Sequence, residues 1–218
     1  MTPIVLLGLA YLLGSIPTSY WIGRGIYGVN LREMGSGNLG ATNALRVLGW
    51  KGALPVLLVD MAKGTVPVAL FPALVPSLSF SWTLAFGGAE IVGHVFSIWV
   101  GFRGGKGVAT SAGVFLGLAP QALGAAFLIW GVALWLSRTA SVASLSAAVA
   151  LPPLVWFFGG TRDGATPLFW FSLGLSVFVL WAHRSNLRRL MAGEEPRLRR
   201  RSAPMPRADG LGEGGETP

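Results

Sequence analysis

The sequence has no cysteine and few charged residues. Among its 218 residues there is no Cys, there are two His, and charged residues make up 12%. Without cysteine the chain forms no disulfide and offers no thiolate as a nucleophile or metal ligand. Soluble domains usually carry about a quarter charged residues, so this chain cannot cover a soluble surface. With 52% hydrophobic residues and a mean hydropathy of +0.60, we predict that lipid covers much of it.

Aspartate is also scarce, and its scarcity disfavours one kind of chemistry. The chain has three aspartates, Asp60, Asp163 and Asp209, far apart in the sequence. Phosphotransferases that act on nucleotide-activated lipids usually need clustered aspartates on metal ions. We therefore predict no metal site and no cofactor.

Seven apolar segments divide the chain and indicate membrane-spanning helices. The first has no positively charged start and no small-residue cleavage site, so we interpret it as a helix rather than a removable signal peptide. A spanning helix needs about 20 residues. The predicted spans are residues 3–23, 53–75, 80–102, 108–119, 120–137, 142–159 and 166–183.

Basic residues between these segments predict the orientation. The net charge is +8, and Lys and Arg concentrate in short loops, which is typical of cytoplasmic loops rather than of nucleic-acid binding. The N-terminus is then outside and the C-terminus inside. The fold prediction is an all-α, polytopic membrane helix bundle of about seven transmembrane helices. The loop residues that carry it are Arg24, Arg32, Arg46, Lys51, Arg103, Lys106, Arg138, Arg184, Arg188 and Arg189.

The fourth predicted span is short. Lys106 and Arg138 should both be cytoplasmic, so the chain between them must cross an even number of times. Pro120 divides this interval. At ~1.5 Å per residue, a helix over residues 108–119 is shorter than the ~30 Å hydrocarbon core. We expect a helical hairpin that is tilted or that stops before the far interface.

Two glycine-rich loops have the composition of anion sites. Residues 34–43 combine three glycines with hydrogen-bonding side chains and are followed by Arg46. Residues 101–110 combine glycines with Arg103 and Lys106. Glycines let backbone N–H groups approach an anion, and the start of the next helix favours negative charge. A flexible loop and an ordinary positive-inside loop are the alternatives.

Two further polar segments lie at span ends. Ser141 and Ser144 are three residues apart, as are His183 and Asn186, so each pair shares a helix face. Serines in membrane helices often bond to backbone, and an interfacial histidine is often structural. The predicted orientation nevertheless brings all four polar segments to one face of the membrane.

Four ionisable residues lie inside predicted spans. Asp60 and Lys63 are three apart, and we expect them to neutralise each other as a structural pair. Glu90 and His94 are four apart and should also share a face. We expect His94, nearer the cytoplasmic end, to support the site without contacting substrate.

The ordered motifs resemble those of a known enzyme family. They are the glycine-rich run 35–43, the Gly-His pair at 93–94, the run 102–110, Arg-x-x-Ser-x-x-Ser at 138–144 and His-Arg-x-Asn-x-x-Arg-Leu at 183–190. Together they closely resemble the bacterial acyl-phosphate-dependent glycerol-3-phosphate acyltransferases over roughly residues 1–195. Leu39 and Leu187 stand where the family often has proline and isoleucine.

The resemblance implies an activity and a location. The family transfers a fatty acyl group from acyl phosphate to the 1-hydroxyl of glycerol 3-phosphate, giving lysophosphatidate and phosphate in the first acylation step of phospholipid synthesis. It implies a membrane domain over residues 1–195 in the bacterial inner membrane, with the active site facing the cytoplasm. Beside the two substrates and membrane lipid, the upstream enzyme that forms acyl phosphate is a candidate partner, and nucleic acid is not. We expect residues 196–218 to be a disordered cytoplasmic tail.

The same resemblance implies the site residues. The first loop would hold the acyl-phosphate head group, Arg46 and Lys106 would bind phosphate, and the last segment would orient glycerol phosphate. Glu195 matches an acidic family position, although its neighbour Glu194 leaves the alignment ambiguous by one. The implied catalytic residues are Ser36, Arg46, Lys106 and His183. The implied substrate-binding residues are Gly35, Gly37, Asn38, Gly40, Thr42, Asn43, Gly104, Gly105, Ser141, Ser144, Asn186 and Glu195.

Acyl phosphate already carries a good leaving group, so positioning and charge stabilisation matter more than a strong nucleophile. The His-x₄-Asp pair of other acyltransferases is absent, because Trp99 and Arg188 stand five residues after the two histidines. We expect direct attack by the substrate hydroxyl, with His183 or a substrate phosphate oxygen as base. The main rival is a transporter of phosphorylated metabolites, although no repeat between the halves supports it.

Overall fold

The computed structural model describes residues 2–159 and 164–198, and all regular secondary structure in these ranges is helical. Five helices are long and apolar enough to cross a membrane, and the bent pair at the N-terminus makes a sixth candidate. The described chain is therefore an all-α membrane bundle, as predicted. Its helices are α1 (Pro3–Ser15), α2 (Thr18–Tyr27), α3 (Ala41–Leu74), α4 (Phe80–Val95), α5 (Val108–Leu118), α6 (Pro120–Ser137), α7 (Ala140–Gly159), α8 (Ala165–Ala182) and α9 (Arg184–Met191), with a 3-10 turn at Ile98–Val100.

The first predicted span is two helices rather than one. We predicted a helix over residues 3–23, but α1 and α2 are separate and bent by 41°. Pro17 explains the break, because proline has no N–H to donate and disfavours helical backbone at the residue before it. The break leaves the carbonyl of Ile16 outside the helical ladder, where it accepts a hydrogen bond from Lys63 at 2.9 Å.

Helix α3 begins earlier than the predicted second span. We predicted residues 53–75, whereas α3 starts at Ala41 and has non-helical backbone at Gly49, with φ 71° and ψ −171°. Glycine adopts this conformation readily and other residues do not. The kink at Gly49 therefore separates a polar first segment, which carries Arg46, from the membrane-spanning remainder.

The hairpin around Pro120 is present, and its first arm is short. Helix α5 has 11 residues, which at ~1.5 Å each fall well short of a ~30 Å hydrocarbon core. Pro120 starts α6, a position where its missing N–H costs nothing. By length and composition the described helices give five or six spans, so a crossing by α5 stays a prediction.

Close packing of α3 against α5 depends on two glycines. A Cβ at Gly64 would collide with the carbonyl of Thr110, and one at Gly113 would collide with the carbonyl of Met61. Small residues at membrane helix interfaces permit such an approach. This packing anchors α5, and with it the glycine loop that immediately precedes it.

Asp60 and Lys63 form the predicted pair, with 2.9 Å between Nζ and Oδ1, and both are buried. Thr18 donates a hydrogen bond to the same oxygen at 2.9 Å. Glu90 and His94, expected to share a face of α4, do not pair with each other: the His94 ring lies 3.8 Å from Asp60, and the Glu90 carboxyl has no hydrogen-bond partner among the described residues. Asp60, already fixed by two partners, offers His94 the nearer carboxylate.

Candidate active site

The four polar segments meet at one end of the bundle, around a cavity of about 530 Å³. Its walls come from α3 to α9, with His94 contributed by α4, together with the loops between them. Residues far apart in the sequence therefore face one space, as expected. The predicted site residues that line it are Ser36, Asn38, Gly40, Thr42, Asn43, Arg46, Lys106, Ser141, Ser144, His183, Asn186 and Glu195.

Asn43 holds the first glycine loop in shape. Its Oδ1 accepts a hydrogen bond from the N–H of Ser36 at 2.8 Å, and its Nδ2 donates to the carbonyls of Leu31 and Met34, both at 3.0 Å. The residue is 1% exposed. We predicted that Asn43 binds substrate; it lines the cavity, and its amide is hydrogen-bonded to the loop backbone, where it positions Ser36.

Some predicted glycines lie outside the main cavity. Gly37, Gly104 and Gly105 line a second cavity behind the Lys106 loop, and Gly35 lines neither. Gly35 and Gly37 have φ values of 63° and 69°, a backbone conformation that favours glycine. These two glycines shape the turn that presents Ser36.

Gly104 and Gly105 fasten the second loop to the end of α4. Their N–H groups donate to the carbonyls of Val95 at 2.9 Å and His94 at 3.1 Å. A Cβ would collide with the His94 carbonyl at Gly104 and with the His94 imidazole at Gly105. We predicted that these glycines bind substrate, but their N–H groups are taken up by α4. The fastening fixes the backbone of the next residue, Lys106.

Lys106 contacts the last polar segment. Its Nζ donates a hydrogen bond to Oδ1 of Asn186, whose Nδ2 donates to Glu195 at 2.5 Å. Burial, followed by the charge of Arg189, lowers the pKa of Lys106 to about 8, although Glu195 opposes the shift. The amine is therefore charged at neutral pH but close to the pH at which it titrates.

The Glu195 carboxylate is hydrogen-bonded to one side chain of α7 and two side chains of α9. Its carboxylate accepts hydrogen bonds from Ser141 Oγ at 2.8 Å, Asn186 Nδ2 at 2.5 Å and Arg189 Nε at 2.7 Å. Burial alone would raise the pKa of Glu195, but these hydrogen bonds and the charge of Arg189 outweigh it and lower the pKa. The Glu195 side chain is 4% exposed and Glu194 is exposed, so Glu195 is the member of the acidic pair that faces the site.

Arg189, which the sequence analysis did not select, contacts a residue of the site without lining the cavity itself. Its guanidinium forms an ion pair with Glu195 at 2.7 Å. The sequence contained one indication of this contact: Arg189 stands three residues after Asn186 on α9, which puts both side chains on one helix face. The ion pair needs Glu195 to return to α9, and only the tertiary structure shows that return.

The segment after α9 folds back across the site. Arg46 donates a hydrogen bond to the carbonyl of Pro196 at 3.3 Å, and the N–H of Leu198 donates to the carbonyl of Arg138 at 2.8 Å. We predicted a disordered tail from residue 196, but residues 196–198 are part of the folded structure. The rest of that prediction, residues 199–218, lies outside the described residues.

His183 presents a hydrogen-bond acceptor to the cavity. Its Nδ1 lies 2.9 Å from the carbonyl of Val179, and because a carbonyl can only accept, Nδ1 carries the proton. In the neutral ring, Nε2 is then unprotonated. Burial, followed by the charge of Lys106, lowers the pKa of His183 to about 4, so the ring is neutral at pH 7.

An apolar arm extends from the polar end of the cavity, between α5, α6 and α7. Ser144 lies at the junction and accepts a hydrogen bond from Trp130 at 3.4 Å. Phe127, on α6, is 65% exposed, so the arm borders the lipid-facing surface. A cavity with a cationic end and an apolar arm suits an amphiphile with an anionic head. The apolar lining includes Phe115, Leu116, Leu123, Phe127, Trp130 and Leu151.

Comparison with known proteins agrees with this geometry. The sequence model of the family described as glycerol-3-phosphate acyltransferase matches residues 4–193. A glycerol-3-phosphate acyltransferase of Synechococcus sp. (strain JA-3-3Ab) is 48% identical over 197 residues, which cover 90% of this chain and 93% of the relative. A glycerol-3-phosphate acyltransferase of Chlorobaculum tepidum is 39% identical over 227 residues, which cover 91% of this chain and 97% of the relative.

Two crystal structures of PlsY (YgiH), an integral membrane glycerol 3-phosphate acyltransferase, share the fold. The glycerol 3-phosphate form has a TM-score of 0.81 and 33% identity, covering 90% of this chain and 95% of that one. The lysophosphatidic acid form has a TM-score of 0.77 and 34% identity, covering 89% and 94%. The fold is thus that of an integral membrane acyltransferase of phospholipid synthesis. The chain belongs to the glycerol-3-phosphate acyltransferase family.

Proposed function

We propose that the protein transfers a fatty acyl group from acyl phosphate to the 1-hydroxyl of glycerol 3-phosphate. The observation that carries this proposal is one cavity in which Arg46, Lys106 and a neutral His183 stand at the end of an apolar arm. The arm suits the acyl chain, and the cations suit phosphate. The PlsY structures with glycerol 3-phosphate and with lysophosphatidic acid support the acceptor and the product.

In the proposed step, the 1-hydroxyl oxygen attacks the acyl carbonyl carbon directly. The bond from that carbon to the bridging phosphate oxygen breaks, and the hydroxyl proton ends on the released inorganic phosphate. No protein side chain becomes acylated. The products are lysophosphatidate and phosphate, so atoms and charge balance without a cofactor.

The cationic side chains stabilise the phosphate as it leaves. Arg46 and Lys106 lie where negative charge develops on the leaving oxygen, which is the most effective place for a fixed charge. His183 Nε2 accepts the hydrogen bond of the attacking hydroxyl and aligns it. With a pKa of about 4, His183 is a weak base, which favours a phosphate oxygen as the final proton acceptor.

The acyl chain reaches the site sideways from the bilayer. Helix α5 stops after 11 residues, and its last turns line the apolar arm together with α6 and α7. Leu116 and Phe127 line this arm and are 46% and 65% exposed. A lipid-soluble donor can therefore slide its chain between these helices while its phosphate stays at the polar end.

A donor comparison with purified protein tests the proposal. In detergent, with glycerol 3-phosphate, the protein should form lysophosphatidate from acyl phosphate and not from acyl-CoA or acyl carrier protein. Equal use of acyl-CoA would refute acyl phosphate as the specific donor. An acyl group trapped on any side chain would refute direct attack.

Two substitutions test the phosphate-binding roles. Arg46→Ala and Lys106→Ala should insert and fold normally yet lose about 100-fold or more of kcat, since each removes fixed charge from the leaving group. Lys51→Ala is the matched control, because Lys51 is exposed and does not line the cavity; it should retain activity within about twofold. Full activity in either test variant would remove that residue from the site.

The same preparation separates the enzyme from a transporter. Detergent-solubilised protein has no compartments to move a solute between, so only an enzyme can convert the mixture. Lysophosphatidate formed under these conditions excludes transport as the sole activity. Uptake of glycerol 3-phosphate into vesicles without acyl transfer would support the transporter instead.

A further inference from the structure

A second cavity, of about 490 Å³, lies on the other side of the Lys106 loop. Within the part of the chain that the structure describes, no Asp or Glu lines it. The four guanidinium groups among its lining residues repel one another where no carboxylate lies between them, and a bound anion relieves that repulsion. The cationic residues of this cavity, called here the arginine cavity, are Arg32, Arg103, Lys106, Arg184 and Arg188.

Two of its guanidinium groups are held in place by the fold. Arg32 donates hydrogen bonds to the carbonyls of Val100 and, at 3.1 Å, Arg103. Arg184 lies over the ring of Trp181, 4.4 Å from its centre, and donates to the Trp181 carbonyl at 3.3 Å. A planar guanidinium that is already positioned loses less freedom when it binds a phosphate, so these contacts favour an anion site.

The arginine cavity adjoins the candidate active site. Asn38 and Lys106 line both cavities, and the backbone of Gly104 and Gly105 forms part of the wall beside Lys106. Only Asn38, Lys106 and the loop that carries Lys106 therefore separate an anion in the arginine cavity from the leaving-group site. The lining also includes Phe96, Phe102 and Trp181, which narrow the cavity without adding charge.

We propose that the arginine cavity is a second anion site that binds a soluble phosphate group beside the active site. The ligand is either glycerol 3-phosphate on its way in or inorganic phosphate on its way out. Both carry the dianionic group that paired guanidinium groups recognise. This inference rests on the proposed function for its biological sense, but binding itself is measurable without it.

The test compares two double variants. One removes two charges from the arginine cavity, and the other removes two charges from elsewhere on the surface. R103Q/R188Q changes two exposed cavity arginines and leaves Arg32 and Arg184 in place, and R24Q/K51Q removes the same charge from exposed residues that line neither cavity. Equilibrium dialysis of the purified proteins against radiolabelled inorganic phosphate then counts the bound ions. We expect two phosphates per chain for the wild type and for R24Q/K51Q, and one for R103Q/R188Q.

Kinetics separate the two sources of phosphate. If glycerol 3-phosphate uses the arginine cavity, R103Q/R188Q should raise its KM about tenfold, as expected from loss of charge-assisted hydrogen bonds. If released phosphate uses it, product inhibition by phosphate should weaken by a similar factor. In either case kcat and the KM for acyl phosphate should stay within about twofold of the wild type.

Three results would overturn the inference. The first is equal phosphate binding by R103Q/R188Q and the wild type. The second is a KM change no larger than that of R24Q/K51Q, which would show general charge attraction instead. The third is a change only in binding to phosphatidylglycerol vesicles, which would make the cavity a lipid contact. A wild type that binds two phosphates but forms no lysophosphatidate would refute the proposed function and leave the second anion site standing.

Discussion

Lys106 must be positively charged for its proposed role, and its pKa of about 8 limits the pH range in which it is. The amine is protonated below that pH and neutral above it. We therefore predict that kcat/KM falls about tenfold per pH unit above pH 8, since kcat/KM reports the free enzyme. His183, with a pKa of about 4, is already neutral and adds no change in this range.

Lys106→Arg is the control for this pH profile. A guanidinium stays charged throughout the accessible range, so the variant should lack the alkaline fall even if its activity at pH 7 is reduced. The measurement is kcat/KM for glycerol 3-phosphate between about pH 6 and pH 10. An alkaline fall that persists in Lys106→Arg would assign the titration to another group.

The adjacent acids Glu194 and Glu195 allow the role of one carboxylate to be tested with its neighbour as the control. Glu195 accepts hydrogen bonds from Ser141, Asn186 and Arg189, whereas Glu194 is exposed. Glu195→Gln should lower kcat/KM by about 10-fold to 100-fold, because it removes a charged acceptor from a buried network. Glu194→Gln should change it by less than about twofold. Equal effects of the two substitutions in a steady-state assay would contradict the assignment of Glu195 to the site.

At the scale of elements, the short helix α5 is held against α3 by glycines. Gly113→Ala places a methyl group against the carbonyl of Met61, and overpacking of this kind destabilises by about 1–3 kcal/mol. Gly131→Ala, in α6, meets nothing within 4 Å, and alanine in an open helical position should stabilise by about 0.5–1 kcal/mol. The two substitutions should therefore shift the Tm in detergent in opposite directions. A Tm for Gly113→Ala as high as that of Gly131→Ala would show that α3 and α5 are not in close contact.

At the scale of the whole molecule, the absence of cysteine makes the proposed topology directly testable. The loop before α4 should lie outside the cell and the start of α9 inside, since the basic loops face the cytoplasm. Ser77→Cys and Ser185→Cys introduce single thiols at exposed positions in these two places. In intact cells a membrane-impermeant maleimide should label the first variant only, and both after lysis. Labelling of Ser185→Cys in intact cells would reverse the orientation.

Much of the bundle could be predicted because it follows from local rules. A long apolar run must be helical in lipid, and the basic residues on either side of the Pro120 interval require an even number of crossings there. The pairing of Asp60 with Lys63 likewise needs only helical spacing. The break at Pro17 was missed because the apolar pattern continues through it, and the extension of α3 to Ala41 was missed because its first segment is polar.

The roles of the site residues could be predicted only in part. The motifs identified which segments meet, but not which side of each residue faces the cavity. Asn43, Gly104 and Gly105 use their polar groups on backbone partners, and Arg189 enters the site through Glu195. Such assignments depend on which partner is nearest in space, and spacing along a chain does not contain that information.

The sequence by itself determined the class of protein, because too few charges for a soluble surface leave lipid as the only solvent for most of the chain. It also determined where the polar chemistry lies, because the few loops that carry charge must share a face. Only the tertiary structure decided how that chemistry is divided between two cavities on either side of Lys106. The physical reason is that a cavity arises from the packing of helices distant in sequence, and its walls exist only when the bundle has closed.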